Sequence, residues 1–353
     1  MGGMIRRWVI AGIAAIVVTV GCASTPPPPP DAGPPVGRWP SPTTAVDTHG
    51  PTRWLAASEV FLGSRERAGS VRSTAWMRFG FNLDGRVTST ADSAKNTGVC
   101  LRHPDAPKSI NGDGIDGVDN AFGSQLFPIL KSLQSDLEDL NNEDMRAGKW
   151  TMVLKIDDLG ADDDASAPGT LLLVADLGHP ATFTAADRWP VVRTLGAFPH
   201  AYVAHGQWVS GFARTTFPLL VAFRDDGGLL RLSLEPGLVV LDLGSGKTTV
   251  AGVLPMSSLV GSTETTVRVF GGCRSDRDDA GRLSTTTDSM LSSVVEAADL
   301  VAGAPDFQDP TAQCNAASFG IGLTMASTGE PSGTAPWPEV PDRCGRDSEA
   351  AGP

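Results

Sequence analysis

Three aspartates and two asparagines crowd into ten residues, Asn111-Gly112-Asp113-Gly114-Ile115-Asp116-Gly117-Val118-Asp119-Asn120. The carboxylates are spaced three residues apart, and glycines at 112, 114 and 117 let a tight loop turn several oxygens inward. A hard cation such as Ca²⁺ takes six to eight oxygen ligands, so this loop is the best candidate for a bound ion. Its expected ligands are Asn111, Asp113, Asp116, Asp119 and Asn120, as a structural calcium site. The competing reading is a solvated turn whose Asp and Asn side chains cap the following helix. Asp162-Asp163-Asp164 is a second acidic run, read as solvated loop charge.

The loop is similar to the aspartate-rich repeats of thrombospondin type 3 and to EF-hand loops. It departs from the EF-hand at Ile115, where a third ligand would stand, and at Phe122, where the bidentate Glu would stand. Gly244-Ser245-Gly246-Lys247-Thr248 imitates a phosphate-binding loop, but Leu241 occupies the position of its first glycine. A strand-like Thr248-Thr249-Val250 follows where a helix is needed, so the stretch reads as a hairpin turn and no nucleotide is expected. Neither GxSxG nor HExxH occurs, and the five histidines show no metal-ligand spacing. Glu138 and Glu143 read as a solvated helix face. Trp76, Trp150, Trp189 and Trp208 could form a sugar-stacking platform, but such residues more commonly pack in a core.

The elements that would position these residues are mostly strands. Short apolar runs at 150–156, 170–176, 201–212, 218–223, 229–234, 238–243 and 248–254 alternate with turns such as Asp226-Gly227-Gly228 and Pro236-Gly237. Residues 74–83 alternate apolar with small or polar positions and predict another strand; residues 54–57 predict a short strand or helix. Residues 318–325 predict a last strand. Leu126, Leu130, Leu133, Leu137 and Leu140 fall on one helical stripe, with the first turn at Pro128 and the end at Asn141-Asn142. Residues 290–302 predict a second helix. The expected fold is mainly β with accessory helices, an antiparallel β-sandwich of jelly-roll type.

The N-terminus addresses the chain. Arg6 and Arg7 precede an apolar run at residues 8–20, too short for a permanent span, and Thr19-Val20-Gly21-Cys22 closes it. That block resembles a bacterial lipobox, which implies that Cys22 is diacylated and becomes the mature N-terminus; an ordinary cleaved signal is the alternative. Acyl chains in pairs anchor a protein stably to a lipid bilayer. Ala23 in place of Asp favours the outer membrane. Pro26 to Pro30 open an extended tether. The division expected is a signal peptide at 1–21, a lipidated tether at 22–50, one domain at 51–328, and a loose Pro- and Gly-rich tail at 329–353.

Removing residues 1–21 takes away two arginines and no acid, moving the net charge from −12 to −14. Such a chain is not expected to bind nucleic acid. Beyond Cys22, four cysteines remain, and an even count in an exported chain predicts two disulfides. The pairing expected is Cys314 with Cys344, to tie down the tail, and Cys100 with Cys273.

Phe81-Asn82-Leu83-Asp84-Gly85-Arg86, Cys100, Asp113-Gly114, Val118 to Gly123 and Lys155-Ile156-Asp157-Asp158-Leu159-Gly160 together resemble exported lipoproteins of the kind frequent in myxobacteria. The resemblance implies one secreted domain and no particular activity. The function expected is an envelope-anchored, non-enzymatic module that binds a glycan or an envelope protein and is stabilised by calcium. The alternative is a surface carbohydrate-active hydrolase, whose paired carboxylates leave little trace in sequence.

Overall fold

Alternation along the strands decides which side chains share a core. The structure is a computed structural model that describes residues 38–44, 46–89, 99–102, 112–160, 162–223, 226–260 and 292–337. Cys22, Asn111, Cys273 and Cys344 lie outside the described residues. Among the described residues ten strands form: β1 (Arg53–Phe61), β2 (Trp150–Ile156), β3 (Gly169–Ala175), β4 (Val191–Phe198), β5 (Tyr202–Ala204), β6 (Gln207–Val209), β7 (Ala213–Phe223), β8 (Asp226–Asp242), β9 (Lys247–Pro255) and β10 (Ala316–Ser327). Met152, Leu154 and Ile156 of β2 join Leu171 and Leu173 of β3 in the main core. Val153 and Val174 point the other way, onto Ala56 and Trp189.

The class is mainly antiparallel β. The strands lie in the order β5-β6-β8-β7-β4-β3-β2-β1-β10-β9, and β8 also pairs with β9. The sheet therefore curls until β9 meets β8, closing a barrel of eight strands with β5 and β6 outside the ring; the expected class holds, with one curled sheet in place of two facing ones. β8 makes this closure. Its first half pairs with β7, and its second half pairs with β9 on one edge and β6 on the other.

Pro236-Gly237 was expected to be a turn, yet β8 runs straight through it. Thr215 opposes Leu234 while Ala213 opposes Gly237, so β8 carries one extra residue there, a bulge. The interior set accordingly changes from Leu230, Leu232 and Leu234 to Val239 and Leu241. Residues 201–212, expected as one strand, divide into β5 and β6 because His205 and Gly206 both take positive φ, at 54° and 73°, the geometry of a two-residue hairpin.

Residues 74–83 are not a strand. They form a short 3₁₀ turn, Ala75–Arg78, and a single bridge from Phe81 to Asp119. Trp76, Phe79, Phe81 and Leu83 are buried as their pattern demands, but against the outer surface of the barrel. This layer lies so close to β10 that a Cβ at Gly320 would come within 2.2 Å of the Phe79 carbonyl oxygen. The next outward position, Gly322, would meet the Phe79 ring at 2.6 Å. Around Phe81, residues of both the layer and the barrel exterior form a second core: Leu83, Tyr202, Leu238, Val240, Ala251, Leu300 and Cys314.

The single helix expected over the leucine stripe is two, α1 (Phe127–Leu133) and α2 (Leu137–Arg146), preceded by a π-turn, Phe122–Leu126. Gln134 is extended and breaks them. Helix α2 places Glu138, Asn141 and Asn142 on one face by i, i+3, i+4 spacing. Asn142 accepts from the Val60 amide at 2.7 Å and donates to its carbonyl at 2.9 Å. Asn141 does the same for Leu220, at 3.0 and 3.2 Å. Glu138 accepts from the Leu62 and Ser64 amides. Glu138 is thus buried rather than solvated. β1 pairs with β2 only from Arg53 to Ala56, and β7 meets β4 only at Thr215, so α2 supplies the missing partner to both strands. Among the described residues the second expected helix occupies 292–296; Ala298, Leu300 and Val301 then run into the outer core, with Leu300 bridged to Ala316.

Both ends of the described chain are strapped to the barrel. Trp39 packs edge-on against Phe81 and Phe212, and Tyr202 donates to the Pro40 carbonyl at 2.6 Å. Thr48 is held by Asp164. The tail departs from expectation too. Its residues 329–335 bond to Asp187, Trp189 and Val191, and Trp337 donates to Leu229 with Arg193 and Arg231 over its ring.

Candidate functional site

The acidic loop folds, but its side chains part company. Gly114 donates to the Val118 carbonyl at 2.7 Å and closes a tight turn, in which Asp116 takes a φ of 56° and faces solvent. Asp119 is buried. Its Oδ2 accepts from the amides of Leu83 at 2.6 Å and Asp84 at 3.1 Å. Asn120 is a hub: its Nδ2 donates to the carbonyls of Trp76, Phe79 and Gly320, and its Oδ1 accepts from Gly123 at 2.8 Å. Asn120 is thereby committed to joining loop, outer layer and β10. Asp113 accepts from the Thr88 amide.

Two carboxylates distant in sequence join this loop. Asp84 accepts from the Arg86 amide at 2.8 Å. Asp299 takes both the amide and the hydroxyl of Ser318, at 2.7 and 2.5 Å, which fixes it to β10. Arg102 is the cation that Asp299 shares with Asp113, while Arg86 is the cation beside Asp84. Burial above all, with the charges of Asp84, Asp113 and Asp299, drives the Asp119 carboxyl well above its ordinary range. Burial, opposed by the Thr88 amide and reinforced by Asp84 and Asp299, pushes Asp113 up to about 7. Burial outweighs the Ser318 hydrogen bonds and Arg102 at Asp299, which rises to about 6. Asp84 is raised by burial as well, against the Arg86 amide and charge. Burial also lowers Arg102, against the pull of Asp299 and Asp113. Two buried polar atoms, Asn82 Oδ1 and Arg102 Nη1, have no hydrogen-bond partner among the described residues.

Four carboxylates against two guanidiniums, Arg86 and Arg102, leave surplus negative charge in a poorly solvated place. Uptake of protons relieves it. Among the described residues, no three His, Cys, Asp or Glu side chains are placed to share a metal ion. Of the five expected ligands the structure brings Asp113 and Asp119 together, sets Asp116 in solvent and commits Asn120 elsewhere, while Asn111 lies outside the described residues. Asp84, Arg102 and Asp299 carried no local signal: Asp84 reads as the start of an Asp-Gly turn, and Asp299 as a polar position inside the helix expected at residues 290–302.

Beside this cluster, Cys100 is bonded to Cys314 with Cα atoms 5.2 Å apart, which corrects the expected Cys314–Cys344 and Cys100–Cys273 pairs. The expected pairing assumed a tail in need of a covalent tie; backbone bonds and Trp337 hold it instead. Backbone bonds of Leu101 with Ala312 and Cys314 set the two cysteines side by side. The four tryptophans Trp76, Trp150, Trp189 and Trp208 are at most 5% exposed, so they are core. Gly244 and Ser245 form the turn between β8 and β9, capped by Asp242 Oδ1. No family model, curated protein or solved structure matches the chain.

Proposed function

We propose that the chain is an envelope-anchored lipoprotein, held in the outer membrane by acyl chains on Cys22, that presents a non-enzymatic binding module outside the cell. The observation that carries this reading is the Thr19-Val20-Gly21-Cys22 block directly after an apolar run, followed by five consecutive prolines. Fifteen residues lie between Cys22 and Arg38, the first described residue, and a proline-rich composition of this kind favours extended chain, roughly 3.1 Å per residue. The interior of the barrel is filled by Phe217, Phe319, Leu232 and their neighbours, which leaves its outer surfaces for partners. Replacing Cys22 with Ser tests the anchor: the variant is expected in the soluble extracytoplasmic fraction, and one that still sediments with envelopes overturns the reading.

A further inference from the structure

The mouth of the barrel where β1 begins and β8 and β10 end carries two adjoining grooves, of about 640 and 550 Å³. They share Arg53, Asp242, Leu243 and Gly244 and so form one continuous cleft. Barrel mouths are a preferred place for small-ligand sites, and either volume is of ligand-site size.

Every wall is braced. The β5–β6 hairpin tip is tied to the neighbouring loop by Gly206 donating to the Asp162 carbonyl at 2.8 Å, and by the His205 amide donating to Asp163 Oδ1 at 2.8 Å. Leu243 donates to the Gly206 carbonyl at 3.0 Å, joining the β8–β9 turn to the same tip. Met325 of β10 donates to the Gly246 carbonyl at 2.8 Å. A braced site loses little entropy when it takes a ligand.

The polar side chains here divide into two sets. Asp163, Asp164, Asp242 and Asp157 each accept hydrogen bonds that hold the loops. The side chains of Arg53, Asp162 and His205 line the cleft and, among the described residues, make no hydrogen bond or ion pair. The fold does not use them, and they converge on one place.

We propose that this cleft binds a neutral saccharide, with the Arg53 guanidinium donating to ring or hydroxyl oxygens and the Asp162 carboxylate accepting from hydroxyls. This rests on the binding-module reading above and names its site and ligand class. The two free charges cancel, and a net charge of −12 disfavours an anionic ligand. Vicinal hydroxyls offer donor and acceptor at fixed spacing, which a guanidinium and a carboxylate match in pairs. A peptide would need an open strand edge, yet β1 is paired on both sides here, with β2 and β10, and the end of β8 with β6 and β9.

The test is calorimetric titration of the full chain in detergent micelles with maltotriose, chitotriose, trigalacturonate and trialanine. At least one neutral trisaccharide is expected to bind. Arg53→Ala and Asp162→Ala should each weaken it at least tenfold while leaving the melting temperature unchanged, since neither side chain bonds within the fold. No heat with either neutral sugar, or wild-type affinity in both variants, overturns the site. Tighter binding of trigalacturonate or trialanine overturns the ligand class. Capture of an envelope component that both variants retain would remove the cleft while leaving the binding module standing.

Discussion

Asp113, Asp119, Asp84 and Asp299 meet at a place where none can be fully hydrated, and their folded-state affinity for protons is raised. In the unfolded chain each returns to an ordinary value near 3.9. The folded form therefore holds more protons between about pH 4 and pH 7, and linkage makes stability fall as pH rises through that window. The protein is expected to melt at a higher temperature at pH 5.5 than at pH 8, by on the order of 5 °C. Asp113→Asn keeps an acceptor for the Thr88 amide and removes one charge, so it should raise the pH 8 melting temperature and flatten the profile. Equal melting at both pH values, or a less stable Asp113→Asn at pH 8, would falsify the crowding of charge.

Helix α2 owes its place to two side-chain amides. Asn142 and Asn141 give Val60 and Leu220 the paired donor and acceptor that a neighbouring strand would give. Val60 belongs to β1 and Leu220 to β7, so one helix face closes both strands where β2 and β4 fall away. Asn142→Ala leaves a buried amide and carbonyl unpaired and should cost about 2 kcal/mol or more. Glu143→Ala, one position along on the exposed face, should change stability by less than about 0.5 kcal/mol. Chemical denaturation separates them, and similar losses in both variants would remove the clamp. The helical stripe was legible because Leu126 and Leu137 are buried and Leu130 and Leu140 half-buried at helical spacing, although Leu133 of the same stripe is exposed. The break at Gln134 was not, because turning the polar face of α2 towards β1 and β7 requires knowing where those strands lie.

At the scale of the molecule, one disulfide joins residues 214 apart and pins the outer layer beside β10. In the chain-entropy model a loop of that length is worth about 5 kcal/mol. Peptide mapping without reductant is expected to yield a Cys100–Cys314 peptide, with Cys273 and Cys344 left as the other pair. A Cys314–Cys344 peptide would show the layer to be held differently. Two straps, at Trp39 and at Trp337, hold against the barrel proline-rich chain that composition alone suggests is loose, because aromatic packing outweighs that looseness.

Local pattern by itself determined the strands that obey period two. The run at residues 150–156 is β2 residue for residue, and those near 170–176, 248–254 and 318–325 lie within a few residues of β3, β9 and β10. It determined the mainly β class and the core role of the tryptophans, since these follow from hydrophobicity and spacing alone. β4 was invisible because Arg193 and Thr194 face solvent in mid-strand and blur its alternation. Pro236 looked like a turn because a proline in a strand is tolerable only at a bulge, and bulges depend on the partner strand. Closure of the sheet, the meeting of Asp84 and Asp299 with the acidic loop, the union of Cys100 with Cys314, and the convergence of Arg53, Asp162 and His205 were decided by tertiary structure alone. Each joins residues whose separation along the chain exceeds the reach of any local pattern, so only the packing of the barrel brings them together.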